Sequence, residues 1–203
     1  MNKVNIIGLT GPTGSGKTEA SKVFAQCGFK VINADTVART VLDCNAECKQ
    51  RLISTYGNNI IDDVGQIKRD VLAKFAFRNR ETENLLNSIT HPYIVKEIEK
   101  NILNLKRENC LWILLDAPLL FESKLDVLCD KTVSVLASKI KRLERIMIRD
   151  TIDMDAAVNR INIQPNEDFY VKRSNYILYN NCDKNNFNIE IEKIILKIKG
   201  EGI

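Results

Sequence analysis

The chain alternates short apolar segments with longer segments of mixed character. Apolar runs, most of them rich in Val, Ile and Leu, lie near residues 4–9, 29–33, 111–116, 132–137 and 175–179, and they predict five β-strands. The intervening segments carry apolar residues at helical spacing. This alternation predicts an α/β fold with a central parallel five-stranded sheet between layers of helices, in which ligands bind at the carboxyl ends of the strands.

A glycine-rich segment directly follows the first predicted strand. Residues 8–20 read GLTGPTGSGKTEA and match the phosphate-binding pattern G-x-x-x-x-G-K-[ST], which ends at Lys17 and Thr18. Glycines bring backbone N–H groups close to an anion, and the following helix adds the positive end of its dipole. We expect Lys17 to reach the β- and γ-phosphates and the Thr18 hydroxyl to ligate Mg²⁺. The strand–loop–helix context predicts a P-loop.

A carboxylate, Asp35, follows the second predicted strand, which ends near Asn33. It is therefore expected at the same sheet edge as the P-loop. There it can accept a proton from a hydroxyl that attacks a γ-phosphate, or bind a magnesium-bound water. Arg39, one turn further on, can contact an anionic acceptor. The spacing is equally compatible with Asp35 as a helix cap and Arg39 as a solvated side chain.

The third predicted strand also ends in an acid, Asp116, within the sequence WILLDAPLLFE. P-loop enzymes place a magnesium-organising carboxylate at such a strand end, so Asp116 is a candidate for that role. The alternative is a buried strand with a capping aspartate. The apolar stretch 118–121 is expected to form a turn at the rim of the site.

Residues 138–150, SKIKRLERIMIRD, form a strongly basic predicted helix. An apolar stripe is expected at Ile140, Leu143 and Met147, with basic residues at i, i+4 and i+8 on another face. One-signed charge suits phosphate binding, and a second helical stretch that reaches Gln164 completes a possible lid over the nucleotide. A solvated basic face is the alternative.

The only histidine, His91, precedes Pro92. Proline suits the first position of a helix, so a capping role for this pair and a contact between His91 and the substrate are both open.

Composition narrows the class of protein. The 203 residues suit one domain, the net charge of +4 is too small to indicate nucleic-acid binding, and no apolar run is long enough to span a membrane. The six cysteines include no C-x-x-C pair, which disfavours a zinc site and favours reduced cytosolic thiols. Together with the absence of a signal peptide, these features predict a cytoplasmic protein. No obligate protein partner is predicted.

Taken together, these segments resemble the dephospho-CoA kinase family. The residues that carry the resemblance are GLTGPTGSGKT at 8–18, NADTVAR at 33–39, GQIKRDVLAKFAF at 65–77, HPYI at 91–94, DAPLLFE at 116–122, RIMIRD at 145–150, Gln164, and NYILYNN at 175–181. The P-loop alone marks only a superfamily. The ordered combination is more specific.

The resemblance implies a three-layer P-loop NTPase fold with a helical acceptor-binding region and a helical lid. The chain would be one domain over residues 1–203, with a core at about 1–35 and 108–203. Within it, the lid is expected at about 140–165 and the acceptor-binding region at about 36–107. The implied reaction is transfer of the ATP γ-phosphate, with Mg²⁺, to the ribose 3′-hydroxyl of dephospho-CoA to form coenzyme A.

The resemblance also assigns roles to individual residues. Asp35 falls at the position of the catalytic base, and Lys17 and Arg149 complete the catalytic set. The implied ATP-binding residues are Gly11, Thr13, Gly14, Ser15, Gly16, Lys17, Thr18, Arg145 and Asn180. The implied acceptor-binding residues are Asp35, Arg39, His91, Leu119 and Phe121, and Mg²⁺ would be held by Thr18 and Asp116. This chain departs from the family pattern at Asn33, where Asp is common, and at Arg142, where Gln is frequent.

Three other functions stay open from the residues alone. The first is a P-loop kinase that acts on a nucleoside monophosphate or another small metabolite, which the 36–107 region would decide. The second is a GTP-binding switch, because residues 62–65 fit D-x-x-G, although no N-K-x-D follows and a turn explains this segment better. The third is a nucleic-acid-binding ATPase, which the mild charge disfavours.

Overall fold

The computed structural model describes residues 4–76 and 78–201. Phe77, the last residue of the 65–77 segment, lies outside the described residues. The chain divides into two compact units, one formed by the described parts of 1–32 and 105–203 and the other by residues 33–104. The assignment of one segment as the nucleotide-binding core and of the other as the acceptor-binding region stays a prediction.

The first unit is built on a five-stranded sheet in the order β2-β3-β1-β4-β5. The strands are β1 (Asn5–Thr10), β2 (Lys30–Asn33), β3 (Trp112–Asp116), β4 (Lys131–Leu136) and β5 (Tyr176–Tyr179). The predicted strands are confirmed, each to within one residue at either end. The parallel three-layer α/β fold predicted from the alternation is confirmed as well.

Burial explains why these strands read as continuous apolar runs. Parallel strands are covered on both faces, so nearly every side chain must be apolar. Five of the six residues of β1 are buried, as are five of the six in β4. One large cluster joins these strands to flanking helices through Leu9, Phe24, Val135, Phe187 and Ile191. The central strand β1, which leads into the P-loop, is therefore fixed on both sides.

Helices of the first unit follow the strands. They are α1 (Lys17–Gln26), α6 (Lys139–Asp150), α7 (Met154–Asn162), α8 (Glu167–Val171) and α9 (Lys184–Gly200), with a 3₁₀ turn at Leu125–Leu128. The loop that connects β1 to α1 and the helix pair α6–α7 contain most of the residues that the sequence assigned to ATP.

The second unit is helical. It contains α2 (Ala34–Cys44), α3 (Ala46–Tyr56), α4 (Arg69–Ala76) and most of α5 (Arg80–Arg107), with a 3₁₀ turn at Asn58–Ile60. The D-x-x-G segment is a turn, as predicted, because the Asp62 carboxylate accepts from the backbone N–H groups of Val64 and Gln66 at 3.1 and 2.7 Å. Throughout 4–76 and 78–201, no helix is long and apolar enough to cross a membrane.

The expectation that Pro92 begins a helix is wrong. Pro92 lies inside α5, which starts twelve residues earlier, at Arg80. Asn79 and Thr82 cap each other's backbone N–H groups, at 2.9 and 3.2 Å, and this reciprocal cap starts the helix before the proline is reached. Pro92 then removes one helical hydrogen bond, the bond that the Ser88 carbonyl would otherwise accept. His91 is accordingly a residue of the helix interior and not a cap.

Candidate active site

Gly16 is the last residue before α1 and has φ of 99°, a left-handed conformation that strains any other residue. Space is also restricted, because a Cβ atom at Gly16 would lie 2.1 Å from the Asn180 side-chain nitrogen. The glycine therefore permits both the turn into the helix and the close approach of Asn180. Helix α1 begins at Lys17, so its first N–H groups lie at the P-loop, where an anion is stabilised.

A second close approach joins the loop to α6. A Cβ atom at Gly14 would lie 2.8 Å from the backbone carbonyl oxygen of Arg142. The backbone of the basic helix thus packs directly on the P-loop, and this contact explains why the loop needs glycine at position 14 as well as at 16.

Lys17 forms an ion pair with the buried carboxylate of Asp116. The pairing follows from the sheet register, because Asp116 lies opposite Leu9 on the neighbouring strand and the P-loop begins just after β1. The two strand ends predicted to meet at one sheet edge therefore do so for β1 and β3. The P-loop lysine and the candidate magnesium carboxylate are held together, and each stabilises the charge of the other.

Asn180, just after β5, is buried against the loop. Its side-chain nitrogen donates to the Ser15 carbonyl at 2.8 Å, and Arg145 donates to both the backbone and the side-chain oxygen of Asn180 at 3.1 Å. Arg145 also donates to the carbonyls of Gly14 and Ser15 at 3.2 and 3.3 Å. Both residues predicted to bind ATP lie at the P-loop, where they contact its carbonyl oxygens. Direct contact with the nucleotide stays a prediction for both.

Arg142 is buried, with 9% of its surface exposed, and reaches the loop from the same helix. Its Nε donates to the Thr13 carbonyl at 2.8 Å, and its Nη2 donates to the Gln164 side-chain oxygen, also at 2.8 Å. That oxygen accepts from the Thr13 N–H at 3.0 Å. Burial lowers the pKa of the Arg142 guanidinium from its usual value. The sequence placed Arg142 on neither the apolar stripe nor the basic face.

Arg149, in the last turn of α6, donates to the Thr13 hydroxyl at 3.3 Å. Two further bonds, at 2.7 and 2.8 Å, join it to the Asp150 carboxylate, which also accepts from Arg160 on α7. The bonds to Asp150 raise the pKa of Arg149, and those to Arg149 and Arg160 lower the pKa of Asp150. The guanidinium is therefore oriented beside the P-loop in a fully charged state.

The apolar stripe expected on this helix is partly wrong. Ile140 is 69% exposed, whereas Ile146 is buried against Ala157 and Ile161 of α7. Leu143 and Met147 pack against the same cluster, as expected. The face that points toward the P-loop carries arginines together with Ile146, which lies beside Gly14. Lys141, predicted to share the basic face, is paired with Glu144 at 3.9 Å.

In the second unit, Asp35 lies in the first turn of α2 and its side chain is exposed. The helix is capped by Asn33, whose side-chain oxygen accepts from the Thr36 N–H at 2.9 Å. The alternative in which Asp35 caps this helix is therefore wrong. Arg39, on the next turn, is also exposed.

The remaining predicted acceptor residues lie in different settings. His91 is half-buried in a groove along α5 that Asn87, Pro92 and Lys96 also line, and burial lowers the pKa of its imidazole. In the first unit, Leu119 is exposed, while the Phe121 ring packs edge-on against Phe169 with 6.0 Å between ring centres. Their predicted contacts with the acceptor stay predictions.

Comparison with known proteins agrees with this geometry. Residues 5–186 match the sequence model of the family described as CoaE, dephospho-CoA kinase. The chain belongs to the dephospho-CoA kinase family. A dephospho-CoA kinase of Carboxydothermus hydrogenoformans is 39% identical over 194 residues, which are 96% of this chain and 94% of that protein. One from Fusobacterium nucleatum is 35% identical over 190 residues, 94% of this chain and 96% of that protein.

A solved structure extends the likeness to the fold. The dephospho-CoA kinase from Campylobacter jejuni superposes with a TM-score of 0.74 and 28% identity, and the match covers 99% of this chain and all of that one. The family membership and the kinase class expected from the sequence are thus confirmed. The expected roles of the individual site residues are proposals.

Two residues of the site were missed as P-loop partners. Gln164 was noted as the end of the second helical stretch of the lid and as part of the resemblance, and Arg142 only as a departure from it. The available signal was helical spacing, since Arg142 precedes the buried Ile146 by one turn and so shares its side of α6. That signal identifies a buried position, but the contact with Thr13 spans 129 residues of sequence, and local patterns carry no information about it.

Proposed function

We propose that this protein transfers the γ-phosphoryl group of ATP to the ribose 3′-hydroxyl of dephospho-CoA, which yields coenzyme A and ADP. The observation that carries the proposal is the Lys17–Asp116 pair at a glycine-shaped P-loop, in a chain that belongs to the dephospho-CoA kinase family. The loop is the ground for the phosphate site, and family membership is the ground for naming dephospho-CoA as the acceptor.

Phosphoryl transfer depends mainly on positioning and on neutralising charge. In the proposed reaction, the P-loop amides and Lys17 bind the β- and γ-phosphates. The 3′-oxygen attacks the γ-phosphorus, and the bond from that phosphorus to the oxygen of the β-phosphate breaks. ADP leaves with that bonding pair. Arg149, held by Asp150, stabilises the negative charge on the transferred group.

The proton of the attacking hydroxyl goes to Asp35 in this proposal. Support comes from the exposed carboxylate in the first turn of α2 and from its match to the NADTVAR segment of the family pattern. Since Asn33 provides the helix cap, the Asp35 carboxylate is not needed for that purpose. Arg39, His91, Leu119 and Phe121 are proposed to bind the acceptor.

The donor set of the site suits Mg²⁺. A hydroxyl from Thr18 and a carboxylate from Asp116 are the kinds of oxygen ligand that P-loop enzymes use for this ion. Asp116 is a buried carboxylate at the end of β3, next to the loop. We propose these two residues as the protein ligands. When bound, the ion neutralises charge on the phosphate oxygens.

The test is ADP release from ATP and Mg²⁺ by the purified protein, with and without dephospho-CoA, beside AMP and other small acceptors. We expect ADP and coenzyme A to form in equal amounts, and only with dephospho-CoA. Turnover with a different acceptor would retain the P-loop kinase and reject the proposed acceptor. Bound nucleotide without any acceptor-dependent turnover would reject the kinase activity.

A further inference from the structure

Every polar group of Thr13 is bonded to a residue from the α6–α7 region. Arg142 binds its carbonyl, Gln164 its N–H, and Arg149 its hydroxyl. Arg142 also binds Gln164, so three hydrogen bonds form a closed ring around the Thr13 backbone. We call Arg142, Gln164 and the Thr13 backbone the Thr13 ring.

This ring fixes the backbone on both sides of Thr13. The bond to the Thr13 N–H restrains the peptide group that precedes this residue, and the bond to the Thr13 carbonyl restrains the peptide group that follows it. The next residue, Gly14, has φ of 76° and packs on the backbone of α6, so the loop is confined there too. The P-loop binds anions only when its N–H groups point inward together, and that requires the carbonyls to be satisfied elsewhere.

We infer that Arg142 is a positioning residue for nucleotide binding, which sets the backbone of the P-loop at Thr13 both directly and through Gln164. Arg142 suits this task because its planar guanidinium presents separate donors to two acceptors at 2.8 Å each. The arginine is buried and both bonds are partly shielded from water, so a lost partner is costly. The Thr13 N–H is committed to Gln164, which leaves the phosphates to the amides that follow.

The inference rests on the nucleotide half of the proposed function and is independent of the acceptor. Its test therefore measures ATP and ADP affinity by titration calorimetry without an acceptor, for Arg142→Ala, Gln164→Ala and the double variant. We expect each single change to weaken ATP binding about tenfold, the worth of one buried hydrogen bond. Because the two residues act on one backbone segment, the double variant should bind ATP as tightly as the single variant that has the lower affinity.

Two further variants separate positioning from folding. Arg142→Lys keeps the charge and one donor position, so its affinity should lie between wild type and Arg142→Ala. Arg107→Ala removes an exposed arginine elsewhere in the same unit and should leave the affinity unchanged. If Arg142→Ala does not fold, Arg142→Lys and Gln164→Ala still test the ring.

The steady-state constants give a second readout. Loss of the ring should raise the KM for ATP while the KM for the acceptor stays near wild type. Unchanged ATP affinity in folded variants, multiplicative effects in the double variant, or an equal rise in both KM values would each overturn the inference. If wild type binds ATP but phosphorylates no acceptor, the proposed function fails while the affinity cycle still decides the role of Arg142.

Discussion

The residues assigned to the nucleotide and those assigned to the acceptor are held in different ways. In the first unit, Lys17, Asn180 and Arg149 are tied to partners from distant parts of the chain. In the second unit, Asp35 and Arg39 are exposed on a short helix whose cap is the nearby Asn33. One region is ordered by long-range contacts, and the other depends on local helix chemistry.

The difference reflects what each region must do. A P-loop binds phosphate with its backbone, and a backbone that contains several left-handed glycines keeps its shape only when other groups restrain it. A side chain that accepts a proton needs reach and exposure more than a network. Substitutions on the acceptor side should therefore change chemistry without changing nucleotide affinity, whereas those around the loop should change affinity as well.

The largest effect is expected for Asp35→Asn. The amide keeps the size of the side chain but cannot accept the proton, so kcat should fall by about 10²–10⁴, the usual contribution of general acid–base catalysis. ATP affinity should stay close to wild type. Steady-state kinetics and a binding titration measure the two quantities separately.

Asp43→Asn is the matched control, since it makes the same change on the same helix at a residue paired with Arg69. It should leave kcat unchanged. A normal rate for Asp35→Asn would remove the base from the mechanism and would leave Asp35 as a solvated residue of α2.

Lys17→Ala should come next, with a loss in kcat of about 10²–10³, the size seen when one preorganised donor to a developing charge is removed. ATP affinity should fall too, in contrast to Asp35→Asn. Lys22→Ala, an exposed position on the same helix, is the control. Near-normal turnover of Lys17→Ala would show that the P-loop lysine has no part in the reaction.

Sequence reasoning was most successful where the signal is local. Periodicity predicted the five strands, and a short motif predicted the P-loop and the helix that follows it. Asp116 was found because strand ends of a parallel sheet share an edge. By contrast, the start of α5 was placed at Pro92, because proline is a strong local signal and the reciprocal cap of Asn79 and Thr82 was overlooked.

The contacts between α6 and the loop could not be predicted for a different reason. A basic helix indicates affinity for phosphate, but the sequence does not say which arginines face an anion and which face backbone carbonyls. Arg142 and Arg145 turn out to bind carbonyls of the loop. Their roles depend on how the helix is rotated, and that rotation is set by the packing of Ile146 against α7.

Arg149→Ala should have an intermediate effect. This arginine combines a bond to Thr13 with a partly exposed, charged head group, so its loss should weaken ATP binding and lower kcat by about 10- to 100-fold, as expected for one charge-assisted contact. Lys139→Ala removes a charge from the same helix and should change neither constant appreciably. A fall in thermal stability alone, with unchanged kinetics, would make the basic helix structural.

The smallest effect is expected for His91→Gln. This variant tests whether the half-buried imidazole on the acceptor side changes the stability of the protein with pH. Burial lowers the pKa of the imidazole below its ordinary value of 6.5, so the folded state resists protonation more than the unfolded state does. The resulting stability is fully present above pH 6.5 and is lost as the pH falls through the folded pKa.

His91→Gln abolishes this titration and keeps a polar side chain in the groove along α5. Denaturant unfolding between pH 7.5 and pH 5 should therefore show wild type losing more stability than the variant, with the two pH curves parallel above about pH 7. Curves that stay parallel down to pH 5 would mean that His91 titrates alike in the folded and the unfolded state. The groove along α5 would then be as weakly packed as the surroundings of Asp35 and Arg39, in contrast to the tightly packed nucleotide side.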